Sequence, residues 1–260
     1  MVERSGNDNL WIRCFNTLAA PKIRLVCFPH LGGSASFFVP IAAALGRGIE
    51  LHAVQYPGRQ DRRTETPLRD IGALADGVFD ALRDRFDGPV AFFGHSMGAL
   101  VAYEVAQRME ERTGDALATL VVSGRRAPSC TRPEAVRTTA HEDLREEDIY
   151  GAVAELRELR ATDDLVLNDD EVLYSILPAL HADYLATESY VDTSAPPLSC
   201  PIAVFVGDRD PHVGLDEAQA WSEHTTGGFE LHVFPGDHFY LTDIPAAAVG
   251  RLSEVLGAVI

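Results

Sequence analysis

Residues 89–109 read "PVAFFGHSMGALVAYEVAQRM", and how this stretch is read decides the fold. The first part, "PVAFFG", is a short and continuously apolar run, the pattern of a strand buried on both faces. From Met97 the pattern changes. Met97, Leu100, Val101, Val105 and Met109 recur at three- and four-residue intervals, which is helical spacing. A buried strand therefore passes directly into a helix, and Ser96 stands at the junction between Gly94 and Gly98.

That junction is the context of a nucleophile elbow, a sharp turn that lifts a serine Oγ above the edge of a sheet. The two glycines remove side chains that would block the approach of strand and helix. The start of the helix places partial positive charge near the serine. A serine that merely capped the helix would account for Ser96 but not for both glycines.

Working outward, the same alternation of elements repeats. "KIRLVCFP" (22–29) is a strand ending at Pro29, followed by the glycine pair of "HLGGSAS". "SFFVPIAAALG" is helical with Pro40 in its first turn or at a kink. "IELHAVQYPG" alternates like a strand stopping at Pro57-Gly58, and Leu68, Ile71, Leu74, Val78 and Leu82 mark an amphipathic helix. "ALATLVVSG", "PIAVFVGDRD" and "FELHVFPGDH" are further strands, with "LDEAQAWSEHT" between the last two and a helix closing the chain. Strands alternating with helices imply one α/β domain over residues 1–260, built on a doubly wound, mainly parallel sheet.

Residues 127–195 break the alternation, with charged helical segments such as "REEDIYGAVAELRELR" and "DDEVLYSILPALHADYLATESY". Such an insertion either packs passively on the sheet or forms a lid over a pocket at the strand ends; the second is expected, since open α/β sheets bind ligands on that rim.

A serine needs a base, and in this arrangement base and acid follow the last strands in the order Ser…Asp…His. Of nine histidines, His238 alone falls after the final strand and before the last helix; His224, His232 and His181 read as packing or surface residues. Two acids, Asp208 and Asp210, end the preceding strand. Asp210 adjoins Pro211, which restricts its backbone, whereas Asp208 is suited to bonding its own turn. Asp210 is the preferred partner. An oxyanion hole requires backbone N–H groups, expected from Met97 and from Leu31 in "PHLGGSAS". Ser34 and Ser36 are expected to cap the following helix.

Composition excludes other classes. Acidic residues outnumber basic ones 39 to 22, a net charge of −17 that lacks the basic footprint nucleic acid requires. No secretory pattern opens the chain and no apolar run is long enough to span a membrane. Cys14, Cys27, Cys130 and Cys200 are scattered, as reduced thiols of a cytoplasmic protein would be. No H-E-x-x-H or cysteine–histidine cluster indicates a metal, and "DRDPHVGLDEAQ" fails as a calcium loop because Val213 and Gln219 occupy its glycine and glutamate positions. No bound cofactor is expected.

Taken together, "CFPHLGGSASFF", "AVQYPGR", "FFGHSMGALVAYE", "VVSGRRAP", "LPALHADYLATESY", "CPIAVFVGDRDP" and "FPGDHFYL" resemble the type II thioesterases, the free-standing α/β-hydrolases of polyketide and non-ribosomal peptide assembly lines. The resemblance implies the α/β-hydrolase fold with a helical lid, a Ser96–Asp210–His238 triad, and an oxyanion hole from Leu31 and Met97. It implies hydrolysis of acyl groups from the phosphopantetheine thiol of an acyl or peptidyl carrier protein. A monomer is the default expectation. Two positions depart from the family. Leu31 stands where alanine is usual, a bulk expected to narrow the acyl pocket, and His181 stands where arginine is usual, so that a lid salt bridge from this position is not expected. An acidic chain gains no long-range steering toward an acidic carrier; Arg125 and Arg126, or Arg59, Arg62 and Arg63, would either form a local basic patch or pair internally. The rival readings are a small-molecule carboxylesterase, an acyltransferase with the same triad, and a silent binding module of the same fold.

Overall fold

The strands that read as continuous apolar runs occupy the middle of a seven-stranded sheet in a computed structural model, which describes residues 10–130, 170–193, 195–241 and 246–259. In chain order the strands are β1 (Ile12–Cys14), β2 (Ile23–Phe28), β3 (Ile49–Val54), β4 (Val90–His95), β5 (Thr119–Ser123), β6 (Ile202–Gly207) and β7 (Phe229–Phe234). They lie in the order β1-β3-β2-β4-β5-β6-β7; only β1 is antiparallel, pairing with β3 through Ile12 opposite Val54. Parallel strands need crossover helices on both faces. These are α1 (Val39–Ala44) and α5 (Ala246–Gly257) on one side, α2 (Ile71–Leu82) and α3 (Met97–Thr113) on the other.

The period-two geometry of a strand divides the core accordingly. Val26, Phe28, Phe92, Val122 and Val204 pack with α2, α3 and Trp221. Their neighbours Leu25, Cys27, Phe93, Val121 and Phe205 pack with Phe38, Ile41, Leu252 and Leu256. Pro40 sits in the first turn of α1, as expected. In α2 the apolar spacing runs past the true start: Asp70 is the N-cap, accepting a 2.7 Å hydrogen bond from the Ala73 N–H, and Leu68 lies before the helix.

β3 corrects the expectation of alternation, because all six of its residues are buried. Glu50 and His52 tolerate this by pairing. His52 Nε2 is 2.9 Å from Glu50 Oε1, and the other carboxylate oxygen accepts from the Leu18 N–H at 2.8 Å. Burial lowers the His52 pKa, so the ring favours its neutral form.

Of the insertion, α4 (Asp170–Glu188) is described and contains Pro178; "REEDIYGAVAELRELR" lies outside the described residues. Among the described residues no helix is long and apolar enough to cross a membrane. The chain reverses direction across the sheet between β2 and β4, because β3 departs to the far side of β2. Ligands in such sheets bind beyond the strand C-termini at that switch point.

Candidate active site

Ser96 follows β4 directly, with φ +53° and ψ −120°, a conformation few non-glycine residues adopt. The strained residue is held at both ends. Its N–H donates to the Ser123 carbonyl at 2.8 Å, and its carbonyl accepts from the Ala99 N–H at 3.0 Å. It occupies the N-cap position of α3, yet its side chain makes no capping hydrogen bond. The flanking glycines are demanded by contact. A Cβ at Gly94 would come within 2.5 Å of Ala99 Cα, and one at Gly98 would overlap the Phe28 carbonyl. Strand β4, helix α3 and the end of β2 meet too closely for side chains.

The loops after β6 and β7 bring the predicted acid and base together. His238 Nδ1 lies 2.8 Å from Asp210 Oδ2, and both side chains are buried. The other Asp210 oxygen accepts from the His212 N–H at 2.8 Å. Asp208 does something different: its Oδ1 accepts the Gly236 N–H at 2.9 Å, tying one loop to the other. Of the two acids, Asp210 is the one bonded to His238.

The loop after β2 is a tight turn. Gly33 N–H donates to the His30 carbonyl at 2.9 Å, and Gly32, the third residue, has φ +72°, the geometry of a type II turn with Leu31 second. Leu31 faces the same cavity as Ser96 and His238. Met97 is the first residue of α3, so its N–H has no acceptor within the helix. The cavity holds about 150 Å³; helix α4 closes it with Tyr184, Thr187 and Glu188, while Arg125 and Arg126 line another part. Burial, and then the neighbouring Arg126, lower the Arg125 pKa to about 10.

Several residues of the site carry no sequence signature of their own. His95, inside the serine motif, is buried with its ring centre 5.2 Å from that of His238. Its Nδ1 lies 2.9 Å from Ser123 Oγ, which lies 2.8 Å from the Tyr240 hydroxyl. Burial holds the His95 pKa well below the usual histidine value, and the neighbouring His238 and His30 act in the same direction. Gly124, with φ +58°, lies against both rings: a Cβ there would be 2.9 Å from His95 Cε1 and 3.2 Å from His238 Cε1. The visible trace of this layer is the Ser-Gly that ends "VVSG".

One further expectation changes. Ser34 and Ser36 do not cap the next helix; their hydroxyls lie 3.0 Å apart and accept from Gln60 Nε2 at 2.9 and 2.8 Å. Of the two alternatives for the arginines, Arg59 and Arg62 take internal pairing, being buried against Asp183 and Glu65 respectively, while Arg63 is exposed. His224 is buried, bonded to Tyr103 and Ser129. One group of potential metal ligands, Cys14, Glu50 and His52, comes together on β1 and β3, outside the cavity, where Arg24 Nε lies 3.4 Å from the Glu50 carboxylate.

Comparison with known proteins places this geometry in a family. The thioesterase domain model matches residues 23–255. A probable cadicidin biosynthesis thioesterase of Streptomyces griseus is 46% identical over 246 residues, covering 95% of this chain and 66% of that protein. The thioesterase PikA5 of Streptomyces venezuelae is 44% identical over 246 residues, covering 94% and 85%. Among solved structures, the type II thioesterase BorB from the borrelidin biosynthetic cluster superposes with a TM-score of 0.83 at 46% identity, covering 95% of this chain and 98% of that one. With the parallel sheet, the strand-to-helix serine and the His238–Asp210 pair in place, the chain belongs to the thioesterase domain family.

Proposed function

We propose that the chain hydrolyses acyl thioesters carried on the phosphopantetheine arm of an acyl or peptidyl carrier protein, clearing stalled or mis-primed groups from a polyketide or non-ribosomal peptide assembly line. The observation that carries this reading is the buried His238–Asp210 pair at 2.8 Å, opening onto the cavity that Ser96 shares. The resemblance to BorB and PikA5 selects a thioester over an oxygen ester.

Ser96 Oγ attacks the thioester carbonyl carbon while His238 Nε2 takes its proton. Asp210, accepting from Nδ1, holds the ring in the tautomer that leaves Nε2 free and stabilises the imidazolium. The carbonyl oxygen becomes an oxyanion facing the N–H groups of Leu31 and Met97. The C–S bond then breaks, and the thiol leaves with the proton from His238. Water, deprotonated by the same ring, attacks the acyl-serine; the acid departs and Ser96 regains its proton. The cavity volume, about 150 Å³, fits a short acyl group; a cavity of this size accommodates one benzene-sized molecule.

Single-turnover release of propionate from a propionyl-phosphopantetheinyl carrier protein tests the reading, with a propionate oxygen ester in parallel and Ser96→Ala as control. Release from the carrier that outpaces the ester, with both lost in the variant, is the expected result. Faster ester cleavage beside an inert carrier substrate would overturn it in favour of a small-molecule esterase.

A further inference from the structure

The lid helix grips the turn that carries Leu31. Asp183, on α4 and buried, accepts a 2.8 Å hydrogen bond from the Gly32 N–H with Oδ2, and the same oxygen is paired with Arg59 Nη2. Arg59 is fixed in turn: its Nη1 donates to the Pro57 carbonyl at 2.9 Å, its carbonyl accepts from Gln55 Nε2 at 3.2 Å, and its guanidinium lies 5.0 Å from the centre of the Tyr56 ring. Gln55 Oε1 then accepts from the Ala35 N–H at 2.9 Å, just beyond the turn. Leu180, one helical turn before Asp183, packs on the same glycine, where a Cβ would come within 3.0 Å of its Cδ1.

The position of that bond within the turn matters. In a turn running from His30 to Gly33, the Gly32 N–H belongs to the central peptide, whose orientation distinguishes type II from type I. Anchoring it to Asp183 fixes the plane joining Leu31 to Gly32. The turn-closing bond from the Gly33 N–H to the His30 carbonyl then constrains the preceding peptide, which carries the Leu31 N–H. Burial raises the Asp183 pKa against the opposing pull of Arg59 and Gly32, and Oδ1 has no hydrogen-bond partner among the described residues. A carboxylate buried in such a pair is poorly explained by its own contribution to stability.

We propose that Asp183 is a positioning residue, aiming the oxyanion donor of Leu31 through the Gly32 N–H, so that hydrolysis requires helix α4 to be seated on the turn. This rests on the proposed hydrolytic reading, in which Leu31 supplies an oxyanion donor. It makes α4 a part of the reaction centre's support and not only a cover.

The test compares two ligands in Asp183→Ala. Propylboronic acid adds Ser96 Oγ to boron, the proton passing to His238, and places an oxygen in the hole; a propyl thioether of pantetheine fills the site without forming an oxyanion. The variant is expected to lose about 10- to 100-fold in kcat, with boronate affinity falling by a similar factor. Thioether affinity should stay within about twofold. Equal weakening of both ligands, or an unchanged kcat, would overturn the proposal. Asp183→Asn keeps one acceptor oxygen and should retain most of kcat; impairment as deep as in the alanine variant would make charge pairing with Arg59 the cause and also overturn it. Should the alanine variant not fold, Asp183→Glu, which displaces the carboxylate but keeps its charge, carries the same expectation. Ser96→Ala separates the two readings: turnover that survives it sinks the serine mechanism whatever Asp183 does.

Discussion

Asp210 holds His238 with one carboxylate oxygen and its own loop with the other, at 2.8 Å in each case. Its neighbour Asp208 instead spans to Gly236 in the loop after β7. Asp210→Asn should therefore lower kcat by about 10³- to 10⁴-fold, the amide favouring the wrong imidazole tautomer, with KM little changed. Asp208→Asn removes a charged acceptor from one loop bond and should cost about 1 kcal/mol of stability, with activity nearly intact. Steady-state kinetics beside urea unfolding distinguish the two; an inactive Asp208→Asn and an active Asp210→Asn would reverse the assignment of the acid.

Ser96 occupies a backbone conformation that costs about 1–3 kcal/mol. Glycine relieves the strain at a smaller entropic cost. Ser96→Gly should accordingly be more stable than the parent by about 1 kcal/mol while losing turnover. Thermal unfolding that shows no gain would mean that the hydroxyl contributes contacts that offset the strain.

Gly98 offers the opposite case. A methyl group there meets the Phe28 carbonyl, which is backbone and cannot rotate away. Gly98→Ala should destabilise by about 3 kcal/mol, the upper end for overpacking, and should displace the end of β2 together with the loop that follows it. A denaturation midpoint equal to that of the parent would contradict the close approach.

Three buried histidines, His52, His95 and His224, have pKa values lowered chiefly by burial. Below about pH 6.5 the unfolded chain takes up protons there that the folded chain refuses. The contribution of these histidines is therefore complete above about pH 6.5 and is lost as the pH drops from that value toward the lowered folded values. Each such site adds a slope of up to about 1.4 kcal/mol per pH unit. His95→Asn should flatten the profile between pH 6.5 and 5; an identical slope would place the acid sensitivity elsewhere.

Leu31 lines the cavity of about 150 Å³. Leu31→Ala should enlarge it and shift preference toward longer acyl groups, by about fourfold in kcat/KM for each added methylene that the new space accepts. An unchanged chain-length profile would show that the acyl group lies along another wall.

Much of this was legible in the chain. Apolar runs such as "IAVFVG", short and bounded by turn residues, read as buried strands, and Ser96, Asp210 and His238 each follow a strand at a position the fold makes convergent. Periodicity failed where polar residues pair out of view. Glu50 and His52 look like the solvent face of β3 because nothing local reveals that Leu18 and Arg24 meet Glu50, which in turn pairs with His52. The departure at His181 suggested a missing lid tether, yet the tether is two residues away in Asp183, whose partner Arg59 is 124 positions distant. Likewise, Gly124 reads as an ordinary turn residue until the rings of His95 and His238 lie against it.

The contact between Gly32 and Asp183 spans 151 positions of chain. Such long loops close late, after local helices and neighbouring strands have formed. During refolding, then, the helical signal should return well before hydrolysis does. A newly made chain would pass through a stage in which its sheet is assembled but it does not yet hydrolyse thioesters.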